Sequence, residues 1–246
     1  LLGSVLNSNA TEAPRSLTQA GPAIAAVAAQ SAKALATYLD SVAKDGARPD
    51  YTKAPAAELF HRVFDTQKLA SLPPFKADDL SWVIEWNGAG NLVNIRMLWF
   101  GVQTKPAMDQ VALKRNLTDY EDQVAMAADF MIRLQARQSG AMLQFLEQLP
   151  AKERTPIRMD GIKQTRTGAS EMIRGALVSV VQGMKPVNAR LMTAALKDTS
   201  DAWSIFLQSE DRAEVMRVIR AVSGYITDAE VKANIASFVA VMTATI

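Results

Sequence analysis

The sequence predicts an all-α fold: a single multi-helix bundle or layered helical array of about eight to ten helices over residues 17–246, behind a flexible N-terminal segment of residues 1–16. Three observations carry that expectation. Apolar residues recur three and four positions apart along nearly the whole chain, and strand-like alternation is scarce. Proline and glycine gather at a few short breaks, "KDGARPDY", "SLPPF", "TKPAM" and "MKP". Two Thr-x-x-Glu capping boxes, opening at Thr118 and Thr227, mark helix starts, because their side chains satisfy backbone N–H groups that a first turn leaves free.

The elements follow in order. Residues 17–44 read as a first helix with Ile24, Val27, Ala28, Leu35, Leu39 and Val42 inward. Gly46 and Pro49 lie beyond its end. A second helix runs from Pro55, which suits a first helical turn, to Leu69. The stretch 78–102 is ambiguous between one helix and a hairpin, since Asn87-Gly88 between apolar runs is a hairpin signal. Helical phase survives across it, however. Trp82, Trp86, Ala89, Val93, Met97 and Phe100 share one face, while Ile84, Asn87, Asn91 and Ile95 share the next. That register favours one long helix, at a cost of about 1 kcal/mol for each of Gly88 and Gly90 relative to Ala. Close approach of a neighbouring backbone would offset the cost.

Residues 107–116 read as a helical lead-in, and the box at Thr118 opens a helix to Leu149. Pro150 and Pro156 bracket a short linker, too short to force a domain boundary. The next helix, 159–184, carries Gly161, Gly168 and Gly175 seven residues apart, a small-residue stripe that invites close approach of another helix. Shorter helices follow at 186–198, 200–208 and 210–225, the last with Ser209 as N-cap. The box at Thr227 opens a final helix to Thr243.

Composition narrows the chemistry. The 246 residues are 49% apolar and 21% charged, enough to bury a sizeable core. The net charge of +2 arises from 27 basic and 25 acidic residues with the signs interspersed, so no concentrated basic face is on offer and no nucleic-acid partner is expected. The basic side formed by Arg158, Lys163, Arg166 and Arg174 lacks the aromatic residues that stack bases. There is no cysteine, which removes disulfides, thiolate nucleophiles, zinc-thiolate sites and iron–sulfur clusters. A single histidine, His61, excludes any site needing two imidazoles from one chain. No stretch is apolar enough for a transmembrane segment. The opening residues do not make an intact signal peptide, and an initiator Met is missing. The expectation is an exported bacterial protein, periplasmic or secreted, with the cytoplasm as the alternative.

Two constellations could carry function. Glu58, His61 and Asp65 stand at helical spacing, and Glu-x-x-His is how a helix of a carboxylate-bridged metal protein presents its ligands. With no second histidine, a mononuclear centre is the only version open, against the plainer reading of a charged helix edge. Trp82, Trp86 and Trp99 with Asn87, Asn91 and Arg96 would instead give a small-molecule pocket its aromatic walls, amides and one charge, against the plainer reading of core packing. Gly88-Ala-Gly90-Asn91 lacks the strand, third glycine or Gly-Lys-Ser/Thr of a phosphate loop. The sequence therefore points to a non-enzymatic helical protein without a cofactor. It would bind a small molecule or a protein partner through the Trp-rich helix. A metal protein or enzyme centred on Glu58, His61 and Asp65 is one rival. A structural or assembly protein that oligomerises through its small-residue faces is the other.

Overall fold

In a computed structural model of the chain, the described residues are 17–102 and 110–244. They form α1 (Leu17–Lys44), α2 (Ala56–Val63), α3 (Thr66–Ser71), α4 (Leu80–Leu98), α5 (Gln110–Asp119) and α6 (Glu121–Gln148). The second half adds α7 (Pro156–Val180), α8 (Pro186–Asp198), α9 (Ser200–Phe206), α10 (Ser209–Val222) and α11 (Ala229–Ala244). No strand occurs among the described residues. The fold is all-α, as expected, and no described helix is long and apolar enough to cross a membrane. The expected flexible segment 1–16 and the start of the lead-in at 107–109 lie outside the described residues.

Helix α6 organises the molecule. Its sequence is apolar or small around most of its circumference, and such a helix must be covered on more than one side. Phe130 and Leu134 face a first core made with Leu35 of α1, Phe60 of α2 and Trp86 and Met97 of α4. Ile132 and Ala136 face a second core made with Ile173 of α7, Leu196 of α8, Trp203 of α9 and Phe238 of α11. Two apolar cores thus share one helix as their common wall.

The stretch 78–102 resolves as one helix, α4, preceded by a 3-10 turn at Ala77–Asp79. The five α4 residues of the Trp-bearing face, Trp82, Trp86, Ala89, Val93 and Met97, are buried, and so is Phe100 just beyond the helix end. Gly90 lies beneath the side chains of Met131 and Phe64. It is side-chain packing, not a neighbouring backbone, that requires glycine there, and Gly88 faces open space with no such compensation. Helix α1 lies against α4, and at Gly21 any Cβ would overlap the Trp82 indole. One bare position thereby sets how closely the two helices approach.

Several local expectations are corrected. The helix expected over 55–69 is two helices, because the Asp65 side chain accepts the Lys68 N–H (2.8 Å) and starts a new one. Pro55 precedes α2 rather than entering it. The box at Thr118 does not form. Thr118 Oγ1 donates to the Lys114 carbonyl, and Glu121 instead accepts from the Lys185 backbone N–H and Asn188 Nδ2 at the start of α8. At α11 the cap is Asp228, whose carboxylate accepts two backbone N–H groups, those of Glu230 and Val231. At α10 Gln208 and Asp211 form the reciprocal box, and Ser209 is the first helical residue. A carboxylate accepts more strongly than a hydroxyl, which favours Asp228 over its neighbour Thr227. Val27 of α1 is 51% exposed, one step round the helix from the buried stripe of Ala25, Ala28, Ala32 and Leu35. No part of the described chain covers the stripe of Gly161, Gly168 and Gly175, where an added Cβ would meet nothing within 4 Å.

Candidate functional site

A cleft of about 590 Å³ runs along α6 between α4 and α7. Its floor is the α6 stripe of Val124, Ala128, Met131, Gln135 and Gln138. That is four turns, about 21 Å at 1.5 Å per residue. One wall is an amide ladder on α4, formed by Asn87, Asn91 and Asn94. The opposite wall is the near-bare face of α7, where Gly168, Ala169, Gly175 and Ala176 leave the backbone almost uncovered and Met172 projects between them. Trp203 and Phe206 close it from the second core. The cleft exists because α4 belongs to one core and α7 to the other. Both pack on α6, and neither has bulk to fill the angle between them.

Among the described residues, no side chain lining the cleft is ionisable. In a chain that is 21% charged, a lining of this extent without one is a chemical statement. The polarity comes from amides. Asn87 Nδ2 donates to Gln138 Oε1 (3.1 Å), while Asn87 Oδ1 accepts from Asn91 Nδ2 (3.3 Å) and Gln135 Nε2 (3.5 Å). Gln138 is only 5% exposed and its amide oxygen accepts from Asn87, so its amide is a fixed part of the wall rather than a mobile surface group. The hydroxyls in the lining are already used: Thr165 donates to the Gly161 carbonyl and Ser179 to that of Gly175. The site therefore offers neutral hydrogen bonds on one side and an apolar wall on the other. Its described lining holds no carboxylate, imidazole, amine or phenol.

The expected site residues divide. Asn87 and Asn91 line the cleft. Trp82 and Trp86 point the other way, into the first core, and their N–H groups are satisfied there: Trp82 donates to Asp79 Oδ1 (3.1 Å) and Trp86 to the Val63 carbonyl (2.9 Å). Arg96 pairs with Asp40 of α1 (3.1 Å), and Trp99 is the half-buried residue that ends α4. The amides and the indoles are on different faces of α4, so one pocket does not hold both. The sequence reading missed Gln135, Gln138, Trp203 and the role of the α7 glycines. Their seven-residue spacing was the available signal, and it marks an open wall rather than a closed helix contact.

Glu58, His61 and Asp65 do not converge. Glu58 and His61 are exposed, Glu58 lies 3.8 Å from Arg62, and Asp65 is occupied as the α3 cap. No group of three His, Asp or Glu side chains among the described residues could hold a metal ion. Three of the four residues on the basic side of α7 are also engaged. Arg158 pairs with Glu153, Arg174 with Glu214, and Arg166 donates to the Phe206 carbonyl at the end of α9.

On the far face of α6, Asp129 and Arg133 form a second polar cluster. Arg133 bonds Asp129 (2.8 Å) and reaches Asp198 (3.1 Å). Burial raises the Asp129 carboxyl above its ordinary range and outweighs the Arg133 charge, which pulls it down.

The chain matches no protein-family model, no curated protein and no solved structure, so its functional reading rests on the geometry of this cleft.

Proposed function

We propose that this is a non-enzymatic binding protein whose ligand is a neutral molecule held in the cleft between α4 and α7. The observation that carries the reading is the lining itself: amides on α4 and α6, bare backbone and methyl groups on α7, and no ionisable group among the described residues. A charged ligand would be left without a counter-charge in a half-enclosed site, at a cost of several kcal/mol. A neutral molecule with hydrogen-bonding groups along one edge and an apolar face loses nothing there. The protein acts by holding its ligand rather than transforming it: among the described residues the only hydroxyls in the lining, those of Thr165 and Ser179, are tied to backbone carbonyls.

Native mass spectrometry, compared with the mass after denaturation, tests this. The expected result is an excess mass that disappears on denaturation and is absent from Gly168→Leu, whose side chain would enter open space and fill the cleft. An excess mass retained by Gly168→Leu but lost from His61→Ala would overturn the reading in favour of a metal or ligand at the α2 edge. A bare chain mass at twice the monomer value would favour assembly through the exposed glycine stripe. The reading carries with it the location suggested by the sequence, periplasm or exterior. Cell fractionation tests that part, and recovery with the cytoplasm would remove it.

A further inference from the structure

Arg137 is a half-buried cation that no carboxylate among the described residues pairs with. It lies on the face of α6 opposite the cleft, one turn beyond Arg133. Its Nη1 donates to the Leu72 carbonyl (2.9 Å), and its guanidinium sits over the Phe75 ring at 5.6 Å. Neither partner carries a charge. Burial and the neighbouring Arg133 both act against its protonated form, and no carboxylate among the described residues offsets them. Arg133 itself is fully engaged by Asp129 and Asp198.

Arg137 lines a pocket of about 350 Å³ between α3, α6 and the α8–α9 junction. Asp201 lines the same pocket. Asp201 is exposed, and among the described residues its carboxylate has no hydrogen bond or ion pair. The same lining holds an apolar part, Leu69, Ala70, Ala136 and Ala202, and the Arg133–Asp198 pair. A simple polyanion would satisfy Arg137 but would face Asp198 and Asp201. A simple cation would have the converse difficulty.

We propose that this pocket is a second binding site, independent of the cleft, for a small zwitterion: a free α-amino acid with an apolar side chain. Its carboxylate takes the forked N–H groups of Arg137, its ammonium faces Asp201, and its side chain lies on the alanine wall. Arginine is suited to the first role because its planar fork matches a carboxylate. The pocket joins α3, from the first core, to α9, from the second, so a ligand there bridges the two.

Calorimetric titration of the full chain with L-valine tests the site. Saturable binding is expected, with a dissociation constant of about 1 mM or tighter. Glycine, lacking the apolar part, binds more weakly. L-Valine methyl ester and N-acetyl-L-valine, which each remove one charge, are expected to weaken binding about tenfold or more. Arg137→Gln and Asp201→Asn weaken it by a similar factor, and Arg158→Gln leaves it unchanged. The inference is overturned if L-valine does not bind, if the ester or the N-acetyl compound binds as well as the parent, or if Arg137→Gln binds normally. Should Arg137→Gln fail to fold, the two blocked compounds on the unaltered chain decide the question alone.

Discussion

Gly88 and Gly90 lie two residues apart in the same helix, yet adding one methyl group to each should move stability in opposite directions. In a helix interior, Gly→Ala is worth about 1 kcal/mol through backbone entropy. At position 88 the new Cβ meets nothing within 4 Å. Gly88→Ala should therefore gain the full amount and raise Tm by about 2–4 °C for a chain of this size. At position 90 the Cβ would stand 2.5 Å from Met131 Sδ and 3.3 Å from Phe64 Cε1. Comfortable separations are about 3.5–4.0 Å, so the Met131 sulfur must retreat by about 1 Å or more. Met131 and Phe64 are both buried, and overpacking of this kind costs about 1–3 kcal/mol. Set against the same entropic gain, Gly90→Ala should lose about 1 kcal/mol, leaving the two variants about 2 kcal/mol apart. Urea unfolding followed by circular dichroism, with unchanged m-values, measures the difference directly. Equal stabilisation by both substitutions would refute the packing argument at Gly90. Because Met131 also floors the cleft, Gly90→Ala should in addition weaken whatever ligand native mass spectrometry detects, while Gly88→Ala should not.

Other expectations are open to similar tests. Trp86→Ala, which empties a fully buried indole site and strands the Val63 carbonyl, should cost about 3–5 kcal/mol, visible as a collapse of the urea midpoint. His61→Ala should stay within about 0.5 kcal/mol of the parent and leave metal content by elemental analysis unchanged, and loss of a stoichiometric metal would contradict the geometry at α2. The Asp129 carboxyl is raised in the folded state, so the native protein binds the extra proton and stability should fall as pH rises through and above the ordinary carboxylate range. Asp129→Asn should flatten that part of the pH–stability curve. Asp228 behaves oppositely. The Arg190 guanidinium and the first N–H groups of α11 hold its carboxyl down at about 2. Its contribution is complete above the unfolded value, about 3.9, and is lost as pH falls toward 2. Tm measured across that acid range should fall less steeply in Asp228→Ala.

What was legible in the sequence was whatever depends on near neighbours along the chain. Helical periodicity placed α1 over its full extent and kept α4 in one piece across Asn87-Gly88, because a 3.6-residue register is a local property. It also grouped Trp82, Trp86, Ala89, Val93 and Met97 on one face, which the fold buries together with Val83 and Gly90. Choices between adjacent capping groups were less legible. Thr118, Ser209 and Thr227 fit the pattern, but Glu121 was drawn across to α8, and Gln208 and Asp228 took the other two positions. Those outcomes depend on which acceptor reaches which N–H after packing.

The site was half legible for the same reason. Asn87 and Asn91 could be named as candidates, since amides in an apolar helix need partners. Trp82 and Trp86 were assigned to the same pocket because they are close in sequence, but the helix turns them about a quarter to half a revolution away and the first core encloses them. The α7 glycines spaced at seven signalled a wall without saying whether a helix would cover it. Sequence alone determined that the protein is helical, free of thiol chemistry and limited to one imidazole. Only the tertiary structure decided that α6 would serve two cores at once. Among the described residues, that sharing leaves an uncharged cleft on one face of the helix and Arg137 without an anion on the other, because a helix packed against two partners cannot fill the angle on either side of them.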